Sequence, residues 1–404
     1  MRDTSVLISG ASIAGPALAF WLHRFGADVT VVERAPELRP GGQAVDLRGI
    51  AKTAAWQMGL ESEIRAACTD TAGMSFVDRD NRVRAKMRAD QFDGDGMIAE
   101  IEILRGDMSK VLYDATKDDT EYIFGDRITA LDEREDGVHV TFEKGDPRRF
   151  DIVVGADGLH SSVRAMVFGD ESRYLHHLGM YISFWTVENH LGLENWAVAY
   201  AEPGRSVGVR TIHDNSKLMA FLSLGSERFE YDYRDIEAQK AIVAEKAAGM
   251  AWETPKLLSQ LDDAPDFYFD SCSQVKLDSW SRGRIGLFGD AAFCGSPLSG
   301  QGTGLAIVGA YVLAGELAAA GGDHVAGFAA YERRMRDWVA TIQKYASRNA
   351  KNTLPKSETG VRLGMLVLKV LPHLPAKSLL LRGANKMING FDLPDYSSLL
   401  VKTA

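Results

Sequence analysis

Val6-Leu7-Ile8-Ser9-Gly10-Ala11-Ser12-Ile13-Ala14-Gly15-Pro16 carries a β-branched, apolar run into a Gly-bearing turn, and the reading of this junction decides the fold class. Pro16 to Phe25 continues at the apolar density of a buried helix, and Gly26 ends it. Val29-Thr30-Val31-Val32 is the next strand. Strands apolar on both faces belong to a parallel sheet covered by helices, so this is a βαβ unit of a Rossmann-like α/β fold. In a dinucleotide turn the first Gly makes the bend, the middle position admits a phosphate to the backbone, and the last packs helix on strand. Gly10 and Gly15 hold the outer positions, with Ala14 beside the second. Ser12 stands in the middle, small enough for close approach and able to donate a hydrogen bond. Glu33 closes the second strand 23 residues after Gly10, where a carboxylate accepts from both hydroxyls of a free ribose. A turn that uses Gly for geometry alone is the competing reading. The acid in its strand–turn–helix context weighs against it.

The 404 residues are 46% hydrophobic and 25% charged, enough to bury a core shared by two or three subdomains. A net charge of −9 offers no basic field to nucleic acid or an anionic membrane. Cys68, Cys272 and Cys294 form neither a disulfide framework nor a CxxC knuckle, which fits a cytoplasmic protein. The uncharged run Ser5 to Leu22 imitates a signal peptide, but Arg2 is offset by Asp3, and Gly10, Ser12, Gly15 and Pro16 break the run. Gly360 to Leu381, interrupted by Lys369, Pro372, Pro375 and Lys377, reads as amphipathic helix and turn rather than a membrane span. There is no GxSxG elbow and no HExxH, and His176-His177 are adjacent rather than spaced as ligands. No catalytic side chain and no metal site are therefore expected, and any chemistry belongs to a cofactor.

Further along, Met74 to Val77 and Val83 to Met87 flank an Asp78-Arg79-Asp80-Asn81 turn as a hairpin, and Gly106 to Thr116 is helical. Ile123 to Asp157 reads as a meander: one strand ending near Glu133, Val138 to Phe142, and a last strand Phe150 to Val154. Tyr174 to Phe269 is sheet-rich with a helix at Ile236 to Gly249, and Gly302 to Ala319 is a strong helix. Two acid-bearing turns follow buried strands: Val153-Val154-Gly155-Ala156-Asp157-Gly158-Leu159-His160-Ser161-Ser162-Val163-Arg164 and Gly286-Leu287-Phe288-Gly289-Asp290-Ala291-Ala292. Pro297-Leu298-Ser299-Gly300-Gln301-Gly302-Thr303-Gly304 then opens the long helix.

With the N-terminal turn, these motifs resemble the class A flavoprotein monooxygenases of the para-hydroxybenzoate hydroxylase fold over residues 1–330. The resemblance implies a Rossmann-like FAD-binding domain (residues 1–70, 98–173 and 270–330), a β-sheet substrate domain (71–97 and 174–269) and C-terminal bridging helices (331–404). It also implies FAD held by Gly10, Ser12, Ala14, Gly15, Glu33, Arg34, Arg105, Asp157 and Asp290. Asp290 would accept from the ribityl chain, and Pro297, Gly300, Gly302 and Thr303 would set a helix N-terminus beside the flavin's N1–C2=O edge. Gly41-Gly42-Gln43-Ala44-Val45-Asp46-Leu47-Arg48-Gly49, His177-Leu178-Gly179-Met180-Tyr181 and Phe267-Tyr268-Phe269-Asp270 are similar to the tetracycline destructase branch. By that likeness Asp46 and Arg48 flank the isoalloxazine and Arg39 meets NADPH phosphates.

The implied cycle is reduction of FAD by NADPH, formation of a C4a-hydroperoxide with O₂, and oxygen transfer to a polycyclic aromatic, phenolic or enolic substrate. The protein would act as a monomer. Descent without a shared substrate is equally compatible with the motifs, because loops retune specificity on one scaffold. The substrate side is expected to use Tyr181, Phe184 and Phe221, with Arg210 and His213 as the nearest polar groups; core packing and satisfied polar partners are their alternative. A flavin halogenase shares the fold, but its Trp-x-Trp-x-Ile-Pro signature is absent; a flavin reductase acting on isoprenoids shares it too. A non-catalytic flavoprotein that sequesters a drug or senses redox state is the reading from another class. Ser12→Leu should block phosphate approach and yield colourless protein after purification; full flavin absorbance in that variant would contradict the reading of the turn.

Overall fold

In the computed structural model, which describes residues 1–92, 98–212, 214–371 and 387–401, the opening strand Ser5–Ser9 is an inner strand of a six-stranded sheet. It pairs in parallel with Asp28–Glu33 on one side and Ile152–Gly155 on the other. Glu121–Phe124 extends the sheet beyond Asp28–Glu33, and Ile285–Leu287 with Ser281–Arg282 extends it beyond Ile152–Gly155. Val6, Leu7 and Ile8 have no exposure, as strands covered on both faces require. Helix Ala14–Arg24 packs on the long helix Gly302–Ala319, which is also contacted by Ile50–Gln57 and His324–Thr353. Gly302–Ala319 is the one described helix long and apolar enough to cross a membrane, and 83% of it is buried among these neighbours. A helix apolar all round belongs in such a core.

The second lobe is a seven-stranded sheet in the order Tyr268–Val275, Leu175–Glu188, Lys217–Gly225, Arg205–Ile212, Trp196–Glu202, Gly73–Val77, Val83–Arg88. Its pairs are antiparallel except Gly73–Val77 with Trp196–Glu202. This sheet runs on to Val275, past the boundary expected at residue 269. Helix Ile236–Ala247 backs one face, and helix Glu358–Val370 lies on the edge strand Val83–Arg88. The expected Gly360 to Leu381 helix and turn is described only to Leu371.

Two expected strands are each divided. The run from Ile123 to Glu133 breaks at Gly125, whose φ is 72°, so that Glu121–Phe124 joins the parallel sheet and Ile128–Arg134 joins a three-stranded meander. Asp126 fixes the break by accepting from the N–H groups of Arg127, Lys144 and Gly145 at 2.8–3.0 Å. Phe150 to Val154 breaks at Asp151: Phe150 pairs with Val138 in the meander, and Ile152 with Val6 in the main sheet. The Asp151 carboxylate accepts from Ser5 N and Ser5 Oγ, both at 2.8 Å. A ribbon of Ala44–Leu47 against Ile101–Leu104, absent from the sequence reading, crosses between the lobes. Asp151→Ala should cost about 1–3 kcal/mol in urea unfolding, because Ser5 keeps two half-buried donors without an acceptor; an unchanged midpoint would contradict this role.

Candidate active site

The steric demands of the N-terminal turn are severe. A Cβ on Gly10, whose φ is 108°, would lie 2.6 Å from the Ala156 carbonyl oxygen, and one on Gly15 would lie 1.9 Å from the Gly10 carbonyl oxygen. Both positions need Gly for close backbone approach. Ala14 packs against the turn that carries Asp290, its methyl 3.2 Å from where a Cβ on Gly289 would stand. Ser12 is half-buried with its Oγ 3.4 Å from Ser109 Oγ. Glu33 accepts from Ala11 N and Ala35 N, both at 2.9 Å, tying the turn to the end of the second strand. Each carboxylate oxygen keeps a further lone pair for a hydroxyl.

This turn borders a cavity of about 360 Å³ lined from the first lobe by Gly10, Ser12, Glu33, Arg34, Arg39, Arg105, Asp157 and His160, and from the second by Tyr233, Arg234 and Tyr268. Beside it, a cavity of about 550 Å³ is bordered by Arg34, Arg39, Arg127 and Arg234. Arg127 is paired with Glu143, whereas Arg34 and Arg39 have no hydrogen-bond or ion-pair partner among the described residues. Desolvation in the cleft lowers the Arg39 pKa, helped by the charges of Arg34 and Arg105 and opposed by Glu33.

Asp157 has structural work of its own. It accepts from Ser162 N at 2.8 Å, Ser162 Oγ at 2.9 Å, Val163 N at 3.2 Å and the Ser161 hydroxyl, capping helix Ser162–Phe168. That helix carries Arg164, which has no exposure; it donates to Leu159 O at 2.6 Å and Ala291 O at 2.9 Å, joining the two acidic turns. Asp290 begins the short helix Asp290–Phe293 and keeps solvent access while crowded by protein. Desolvation pushes its carboxyl pKa up; the Cys294 thiol and Arg105 pull it back and Asp270 adds to the rise. Pro297, Gly300 and Gly302 are exposed between the buried residues Ser296, Ser299, Gln301 and Thr303. Open space lies beside Gly300 and Gly302, where an added Cβ meets nothing within 4 Å. Ser296 precedes this loop at φ 74° and ψ 148°, a conformation that costs a non-Gly residue about 1–3 kcal/mol and is typically retained at functional loops.

On the second lobe, Phe184 pairs directly with Phe221, and Arg210 with Met219. Side chains alternate along a strand, so these four share one face. Phe184 and Met219 pack there with Ile212, Ala44 and Leu104 of the ribbon. Tyr181 does not join them: three residues from Phe184 along a strand, it points to the opposite face, buried against Phe229 and Phe269. His213 lies outside the described residues. Arg210 is held by Glu102 and Thr71, so it is not free to grip a ligand as expected.

Glu102 stands directly opposite Asp46 in the ribbon, and Asp46 is paired with Arg48 at 2.9 Å, giving a row Arg48, Asp46, Glu102, Arg210 of two ion pairs that meet at their carboxylates. Burial pushes the Asp46 carboxyl up, with Arg48 opposing and Glu102 adding. Glu102 is also pushed up by burial, yet Arg210, Thr69 and Thr71 hold it below its ordinary value. Glu102, Arg164 and His160 escaped the sequence reading as site residues. The lone carboxylate in Ile101-Glu102-Ile103-Leu104 was the available signal, because a charge in a buried strand needs a partner. Arg210→Met should destabilise by about 3–5 kcal/mol by stranding Glu102, and the double variant with Glu102→Gln markedly less. Additive losses in chemical unfolding would contradict the pairing.

A family model described as FAD binding domain matches residues 3–344. An uncharacterized protein of Mycobacterium tuberculosis is 44% identical over 352 residues, 87% of this chain and 95% of its own length. A flavin-dependent monooxygenase of Legionella longbeachae is 35% identical over 397 residues, 98% of this chain and 99% of its own. Among solved structures, the tetracycline destructase Tet(55) superposes with a TM-score of 0.84 at 35% identity, over 98% of this chain and 100% of that one.

Proposed function

Because the chain belongs to the FAD-binding flavin-dependent monooxygenases, we propose that it uses NAD(P)H and O₂ to hydroxylate a polycyclic aromatic, phenolic or enolic small molecule, tetracyclines being the first class to test. FAD supplies the redox chemistry when bound, accepting a hydride and activating O₂. The residues present fit that cofactor. Gly10 and Gly15 leave no room for side chains at the turn, and Asp290, Pro297, Gly300 and Gly302 form an exposed strip in an otherwise buried segment. The helix that starts at Gly302 brings unpaired N–H groups and a positive dipole end to that strip, favouring negative charge.

The observation that carries the substrate reading is the half-buried Phe184–Phe221 pair on the sheet face turned to the ribbon of Asp46 and Arg48. It offers a flat ligand an apolar wall with polar groups on one side, the composition of ligand sites generally. The likeness to Tet(55) over the whole chain supports a fused-ring substrate. In this reading Asp46 and Arg48 orient substrate against the cofactor, and the second lobe excludes water. Arg39, without an ion-pair partner among the described residues, receives the phosphates of NADPH, which docks transiently at the cavity it borders. The enzyme works in a reducing cytoplasm, where its three cysteines stay free.

The test is a panel of tetracyclines and polycyclic phenols with FAD-loaded protein. Substrate should accelerate NADPH oxidation and yield a product heavier by one oxygen atom. Tight binding of a panel compound with no turnover would replace the monooxygenase reading with sequestration.

A further inference from the structure

We infer that His160 is a positioning residue: by binding Asp270 and stacking on Tyr233, it holds the second lobe's Tyr233–Arg234 segment in place as one wall of the cofactor groove. His160 belongs to the turn after strand Ile152–Gly155 in the first lobe, and Asp270 to strand Tyr268–Val275 in the second. Its Nδ1 lies 3.1 and 3.2 Å from the two carboxylate oxygens of Glu171, and its Nε2 lies 3.3 Å from Asp270 Oδ1. A neutral imidazole has one N–H and would turn a lone pair toward one of these carboxylates; the doubly protonated ring donates to both. Asp270 is the anchor on the other side, accepting from Tyr231 Oη at 2.8 Å, Tyr268 Oη at 3.3 Å and Ser271 N at 2.7 Å.

The imidazole lies flat on Tyr233, with ring centroids 4.2 Å apart and planes 5° from parallel, a cation over an aromatic face. Arg234 donates to Tyr233 Oη at 2.9 Å. Tyr233 and Arg234 line the groove that holds Gly10 and Ser12, and a separate cavity of about 600 Å³ is lined by His160 and Tyr233 as well. The stacked pair is therefore a shared wall between the two spaces, and the groove keeps its shape only while the pair stays together.

The charge on His160 makes this wall dependent on pH. Burial opposes protonation, but hydrogen bonds to Asp270 and Glu171 and their charges carry the pKa up to about 9. The other titratable groups around it are Arg164, 3.5 Å from Glu171; Arg228, His177, Glu230 and Asp232 on the far cavity; and the hydroxyls of Tyr231, Tyr233 and Tyr268. Burial, with the Asp270 charge, raises Tyr231 and Tyr268 above their ordinary range, so they stay neutral donors. A histidine with a raised pKa contributes fully below its ordinary value of 6.5, and the contribution is lost as pH rises from there through the folded value of about 9.

The inference rests on the FAD reading, and the experiment separates the two. FAD affinity of the full chain is measured by flavin fluorescence from about pH 7 to about pH 10, with circular dichroism confirming the fold. Wild type should weaken about tenfold as pH passes the His160 pKa, whereas His160→Gln should be about tenfold weaker at neutral pH and flat across the range. Tyr233→Leu, which needs no buried change, should weaken binding at least about threefold even if the Gln variant does not fold. A wild-type affinity constant across the range, a Gln variant that keeps the step, or a Leu variant that binds like wild type would overturn the positioning role. Failure of wild type to bind FAD at any pH would overturn the cofactor reading instead.

Discussion

The backbone of Gly15 runs so close to the Gly10 carbonyl that a single methyl would overlap it, and the arrangement of the first lobe follows from that approach. It forces helix Ala14–Arg24 to start immediately above the end of strand Ser5–Ser9. The helix can then lie on the sheet and against Gly302–Ala319. Gly10 in turn abuts Ala156, so the first turn and the turn after Ile152–Gly155 are packed backbone to backbone. A groove floored by main chain rather than by side chains is the surface a pyrophosphate needs, because N–H groups reach the ligand only where Cβ atoms are missing.

Around that contact the acidic turns are held by interactions that do not involve a ligand. Arg164 spans the turns at Leu159 and Ala291, Asp157 caps the helix that carries Arg164, and Glu33 fastens Ala11 to Ala35. The groove is thereby prepared before a cofactor enters, which lowers the ordering cost of binding. The second lobe meets the first through polar pairs of the same kind, Arg210 with Glu102 and His160 with Asp270. Such pairs fix relative position better than they add stability, since desolvation offsets most of the attraction.

The sequence made the βαβ unit, the Gly turn and the Gly302–Ala319 helix legible because each has a strong period or a steric need. The breaks at Gly125 and Asp151 were not, since apolar strand runs on either side read as continuous and only tertiary pairing decides which sheet receives each half. The four-residue ribbon strands were too short for periodicity to register. Tyr181 and Phe184 look alike as aromatics of one sheet-rich segment, although an odd spacing in a strand sends the two to opposite faces. Arg210 looked like a ligand because its partner, Glu102, is 108 residues away in the chain. Glu33 and Asp157 are legible as acids closing buried strands but not as backbone fasteners, a role that appears only when the turns they hold are seen in space.

The most direct measurement is the structure of the flavin-loaded protein. The account predicts the FAD pyrophosphate over the Gly10–Ser12 backbone, the ribose hydroxyls at Glu33 and the isoalloxazine against Gly300–Gly302. FAD bound elsewhere, or a Gly10–Ser12 backbone with no phosphate against it, would contradict it.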